Sequence, residues 1–75
     1  MGGKIVLDPK EVGLRIGKLR VGNELTQSEL ADMCGVSRSA VEKVENGKNL
    51  PNVSSIANMA VVFGVTIDYL VYGSK

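Results

Sequence analysis

The chain has 75 residues, with nine Lys or Arg against eight Asp or Glu, a net charge of +1 and 44% hydrophobic residues. That length supports one small domain with a modest core, to which a partner subunit would add stability. With no histidine and a single cysteine, Cys34, an intrachain disulfide is excluded, and neither a zinc site nor a histidine-based catalytic centre is expected. No apolar run reaches the ~18 residues of a membrane span and the start carries no signal-peptide pattern, so a reduced, cytoplasmic setting is expected.

The near-neutral total hides an uneven distribution. Residues 1–48 hold eight of the nine basic and seven of the eight acidic side chains, and from Asn49 to Ser74 the only charge is Asp68. The first two thirds is suited to water or charged partners, and the last third to being covered.

In chain order, "MGGKIVLD" opens with Gly2 and Gly3 and contains the one short alternating run, "KIVL". Residues 1–8 read as a flexible segment; Lys4 within it could touch a phosphate. Asp8, Pro9 and Glu11 then give an N-cap, a proline at the first helical position and a capping-box glutamate, with Leu7 and Val12 placed as a hydrophobic staple. They predict a helix over 9–22 that turns Val12, Ile16 and Leu19 inward.

Thr26 and Glu29 form a second capping box, stapled by Leu25 and Leu30, for a helix over 27–34 that buries Leu30, Ala31 and Cys34. Gly35 ends it. Ser37 caps a third helix over 38–46, flanked by Val36 and Val41, with Val41 and Val44 inward and Gly47 after it. Asn52, following Pro51, caps a fourth over 53–63, whose Ile56, Met59, Ala60 and Phe63 face the core. Thr66 caps a fifth over 67–72, stapled by Val65 and Leu70, with Leu70 inward. Gly64 and Gly73 mark the last two stops. Met33 and Met59 are expected to fill gaps in the core or at its edge, and Cys34 to be a small buried hydrophobe rather than a reactive thiol. The whole is one all-α domain over 9–73.

The second and third helices stand very close in sequence. Ala31 is small where two helices must cross, Gly35 permits a left-handed turn, and Val36 plugs that turn. The third helix is then held by one side only, leaving Arg38, Ser39, Glu42, Lys43 and Asn46 outside. A short helix with such a face can enter the DNA major groove. Arg38 carries the planar fork that fits guanine O6 and N7, a pairing worth ~1–3 kcal/mol of discrimination, and Lys43 lies on roughly the same side. Glu42 could accept from cytosine N4 or simply repel phosphate.

The segment "LTQSELADMCGVSRSAVEKVENGK" resembles the helix-turn-helix of the phage-repressor (Cro/C1-type, XRE-like) family, through Gln27, Ala31, Gly35, Val41, Glu45 and Gly47 as a set. The resemblance runs from about Val12 to Gly73 and includes the "GVTIDYLVYG" ending. It implies a compact five-helix, lambda-repressor-like fold. It also implies that Gln27 hydrogen-bonds a phosphate and braces the start of the third helix, and that Ser37, Arg38, Ser39 and Lys43 reach base edges or nearby phosphates. Asn46 and Lys48 would contact the DNA backbone, and Arg20 and Glu45 would form a buried pair tying the first helix to the third. Ser39 is shorter than the glutamine some relatives carry, which weakens direct readout there.

Helix four carries more apolar residues than one core face needs: Val53, Ala57 and Val61 form a second stripe at i, i+4 and i+8. Tyr69, Val71 and Tyr72 of the fifth helix extend it. A contiguous apolar patch signals a partner, and related repressors often pair through this end. Val61, Tyr69 and Tyr72 are therefore expected at a homodimer interface that sets two recognition helices one DNA turn, ~34 Å, apart. The expected function is non-enzymatic, sequence-specific binding of double-stranded DNA by a transcription regulator, with a repressor favoured and no cofactor. The alternatives are an antitoxin or restriction–modification controller of the same fold, or a protein-interaction module, to which the near-neutral charge lends weight.

Overall fold

The computed structural model describes residues 7–73. The expectations for the opening segment, including Lys4 and the "KIVL" run, lie outside the described residues apart from Leu7 and Asp8. Five helices follow in order: α1 (Pro9–Gly22), α2 (Gln27–Cys34), α3 (Arg38–Glu45), α4 (Val53–Phe63) and α5 (Ile67–Tyr72). No strand occurs among the described residues.

Every helix begins where a side-chain oxygen can take an otherwise unpaired backbone N–H. Asp8, Thr26, Ser37, Asn52 and Thr66 are the five N-caps. The box on α2 closes in both directions: Glu29 N–H donates to Thr26 Oγ1 at 3.0 Å, and Thr26 N–H donates to Glu29 Oε1 at 2.8 Å. The first helix departs from the expected box. Asp8 accepts from Lys10 N–H at 3.0 Å instead of from the N–H of Glu11. Helix three ends one residue earlier than expected, at Glu45, with Asn46 as its cap.

Three helices stop through the same paired bonds, which satisfy late carbonyls across a left-handed residue. At α3, Lys48 N–H reaches Lys43 O at 2.9 Å and Gly47 N–H reaches Val44 O at 3.0 Å, with Gly47 at φ 77°. Gly35 and Gly64 end α2 and α4 in the same way. After α1 the left-handed position is taken by Glu24 (φ 59°), the one non-glycine with positive φ among the described residues. A side chain there costs ~1–2 kcal/mol, a strain the sequence pattern gave no sign of.

The core is formed by Val12 and Ile16 of α1, Leu30, Ala31 and Cys34 of α2, Val41 and Val44 of α3, Met59, Ala60 and Phe63 of α4, and Leu70 of α5. Leu19 and Ile56, expected inside, are partly buried at its edge. Met59 is fully enclosed, but Met33 is 52% exposed and fills no gap. Cys34 is buried, and the loss of water raises its thiol pKa above the ordinary value, favouring the neutral form. No helix among the described residues is long and apolar enough to cross a membrane.

Candidate nucleic-acid interface

The position of α3 is set from both sides. On one side α1 crosses it at Gly13, where an added Cβ would overlap the Val44 carbonyl oxygen and stand 3.1 Å from that of Glu45. The two backbones therefore meet with no side chain between them. This contact escaped the sequence reading, which assigned the close crossing to Ala31 alone; the signal was a glycine inside a helix, next to a core valine. On the other side α2 packs through Leu30, Ala31 and Cys34.

Glu45, the last residue of α3, joins three segments. Arg20 of α1 grips its carboxylate with both prongs of the fork, Nε to Oε2 at 2.6 Å and Nη2 to Oε1 at 3.0 Å. Gln27 Nε2 of α2 donates to the same Oε1 at 3.1 Å. The remaining guanidinium nitrogen, Nη1, donates to Leu25 O at 2.8 Å. The pair is largely covered, with 17% and 9% of the two side chains exposed. Its hydrogen bonds and charge hold the Arg20 pKa above the ordinary value despite the opposing cost of burial. A two-pronged, partly desolvated pair fixes direction as well as distance, so the end of α3 is locked to α1 and to the start of α2.

That geometry corrects the expected place of Gln27. Its amide braces the C-terminal end of α3 through Glu45, not the start. One amide hydrogen is used in this way, leaving a second for an outside acceptor. The Thr26 cap takes the third N–H of α2, so the N–H groups of Gln27 and Ser28 remain for a ligand. Thr26, Gln27, Ser28 and Arg38 line one open cleft of about 540 Å³. Arg38, Ser39, Glu42 and Lys43 are all exposed on α3, and Asn46 and Lys48 are exposed in the turn after it. Ser37 is exposed beside them, its hydroxyl engaged as the cap of α3, where it accepts Ala40 N–H at 3.1 Å. The result is a helix anchored on its apolar face, with cations and hydrogen-bonding groups on the other.

Residues 16–70 match the family model described as Helix-turn-helix. The chain belongs to that family. Over 65 residues it is 42% identical to the HTH-type transcriptional activator BcrR of Enterococcus faecalis, a match covering 87% of this chain and 32% of that protein. The chain thus spans about a third of this longer relative. Among solved structures, the P22 c2 repressor in complex with a synthetic operator superposes with a TM-score of 0.80 at 28% identity, covering 84% of this chain and 96% of that one. The restriction–modification controller C.AhdI of Aeromonas hydrophila gives a TM-score of 0.77 at 30% identity, with the same two coverages. The lambda-repressor-like, five-helix architecture expected from the sequence is the one these neighbours share.

A further exposed feature is apolar and belongs to α4 and α5, beside separate exposed apolar residues such as Leu14 and Val21 on α1. Val53, Ala57 and Val61 form an uncovered stripe on α4, with Ile67, Tyr69 and Tyr72 exposed on α5; Val61 is 82% exposed and Tyr72 52%. Val71 is partly buried against the core. Arg15 fastens α5 to α1, its Nη1 donating to Leu70 O at 2.7 Å, a contact no sequence pattern had signalled.

Proposed function

We propose that this helix-turn-helix chain is a sequence-specific DNA-binding transcription regulator, acting as a repressor, and that it reads the major groove with α3. The observation that carries the reading is the locked helix. Arg20, Gln27 and Glu45 fix the end of α3, while Arg38, Ser39, Glu42 and Lys43 stand on its open face. Such rigidity suits base readout, because a donor pair must meet a base edge within a few tenths of an ångström. In this arrangement Arg38 pairs with guanine and Lys43 with a base or adjacent phosphate. The free N–H groups of Gln27 and Ser28, with Asn46 and Lys48, hold the backbone on either side.

Two copies pair through the α4–α5 stripe, with Val61, Tyr69 and Tyr72 against a symmetry mate, and present two α3 helices to successive major grooves. The working compartment is the cytoplasm, where a bacterial or phage operator is reached. A restriction–modification controller is the second reading, favoured by the likeness to C.AhdI. It would bind DNA through the same face and differ only in its target.

Binding titrations with Arg38→Ala test the reading. Cognate affinity falls by ~1–3 kcal/mol while random DNA is held almost as well, and preference relaxes at one base step. Binding that does not weaken as salt rises, in the unmodified protein, would instead favour a protein-interaction module.

A further inference from the structure

Lys10, at the second position of α1, has no part in the helix-turn-helix as read from the sequence. Folding nevertheless carries it to the far end of α3. A Cβ placed on Gly47 would lie 2.8 Å from Lys10 Cγ and 3.0 Å from Lys10 Cα, so the lysine stem crosses directly over the turn that follows α3. The approach is fixed twice over. Gly13, one turn further along α1, presses on the Val44 and Glu45 carbonyls, and the Gly47 turn is held by its own bonds to Val44 O and Lys43 O. Gly47 is therefore required for two reasons, its left-handed φ and the room its missing side chain leaves for Lys10.

Lys10 is exposed, as are Asn46 and Lys48 on either side of Gly47, and Lys43 stands one turn back on α3. Three exposed lysines, at positions 10, 43 and 48, thus flank one turn along the backbone. No carboxylate accepts a salt bridge from any of them in the described residues. A lysine whose stem lies along backbone while its head stays in water and unpaired can serve as a point contact for phosphate.

We infer that Lys10 is a phosphate-contacting residue that extends the DNA interface from the α3 turn onto the start of α1. The inference rests on the reading that the turn after α3 meets the DNA backbone, and adds a contact from a different helix. Being directed at phosphate, it adds affinity without sequence preference.

The experiment compares the salt dependence of binding for the unmodified protein, Lys10→Gln, Lys10→Arg and Lys48→Gln, on cognate and random duplexes, with helical circular dichroism confirming the fold. Each neutralised phosphate contact adds ~0.9 to the slope of log affinity against log salt. Lys10→Gln is expected to lower that slope by about one and to weaken both duplexes by the same factor, while Lys10→Arg keeps the slope. An unchanged slope in Lys10→Gln, with a lowered slope in Lys48→Gln, overturns the inference and leaves the backbone reading standing. Unchanged slopes in both overturn the two together. A lowered slope in Lys10→Gln alone upholds the inference and removes Lys48 from the interface.

Discussion

Glu45 shows how one carboxylate can set the aim of a helix. It accepts from Arg20 twice and from Gln27 once, so three segments converge on two oxygen atoms. Truncation leaves the Arg20 guanidinium largely covered, with only the Leu25 carbonyl as partner. Removing one member of a buried pair costs ~3–5 kcal/mol, and the partial water access here puts Glu45→Ala near the lower end. Glu24 is the natural control, an exposed glutamate with no charged partner. Thermal melts should show Glu45→Ala lowering Tm by many degrees and Glu24→Ala leaving it nearly unchanged; equal melting temperatures would contradict the role given to the pair. Glu24 also has a strain to relieve. Replacement by glycine releases the left-handed penalty but adds unfolded-state entropy, for a net gain of roughly 0.5–1 kcal/mol, read as a small rise in Tm.

At the level of helices, α1 meets α3 backbone to backbone at Gly13, where there is no room for a methyl group. Gly13→Ala should push the helices apart and cost ~1–3 kcal/mol, as overpacking does, and it should weaken DNA binding further by turning α3. Denaturant melts and binding titrations measure the two losses separately. An alanine variant as stable as the parent would mean the crossing is looser than drawn. This contact also shows where sequence reading stops. All five N-caps were legible, because Asp8, Thr26, Ser37, Asn52 and Thr66 act on amides two or three residues away. The core was legible too, because the spacing of Val12 and Ile16, or Met59 and Phe63, names the inward face of a helix. Spacing does not say how near two backbones come, so Gly13, the Gly47–Lys10 contact and the Arg15 bond to α5 surfaced only in three dimensions. The Arg20–Glu45 pair was anticipated through family resemblance, since 25 residues separate its members and neither one's local setting points to the other. Met33 misled for the opposite reason. Its apolar character suggested burial, yet its place in the last turn of α2 leaves it in water.

For the molecule as a whole, the proposed function assigns DNA to the polar α3 face and a second copy to the apolar α4–α5 stripe. Val61→Asp places a charge in the stripe at a site that is already 82% exposed in the single chain. The fold should therefore survive while the proposed dimer separates, seen by sedimentation at micromolar concentration with unchanged helical circular dichroism. Operator binding should fall steeply, because one half-site contact replaces two. The central claim, that α3 reads DNA sequence, is tested most directly by selecting bound duplexes from a random pool. Two guanine-containing half-sites about ten base pairs apart, related by a pseudo-two-fold axis, should emerge for the unmodified protein. Loss of the guanine preference should follow in Arg38→Ala. A pool that shows no enrichment after repeated rounds, at salt low enough for the protein to bind DNA, would contradict it.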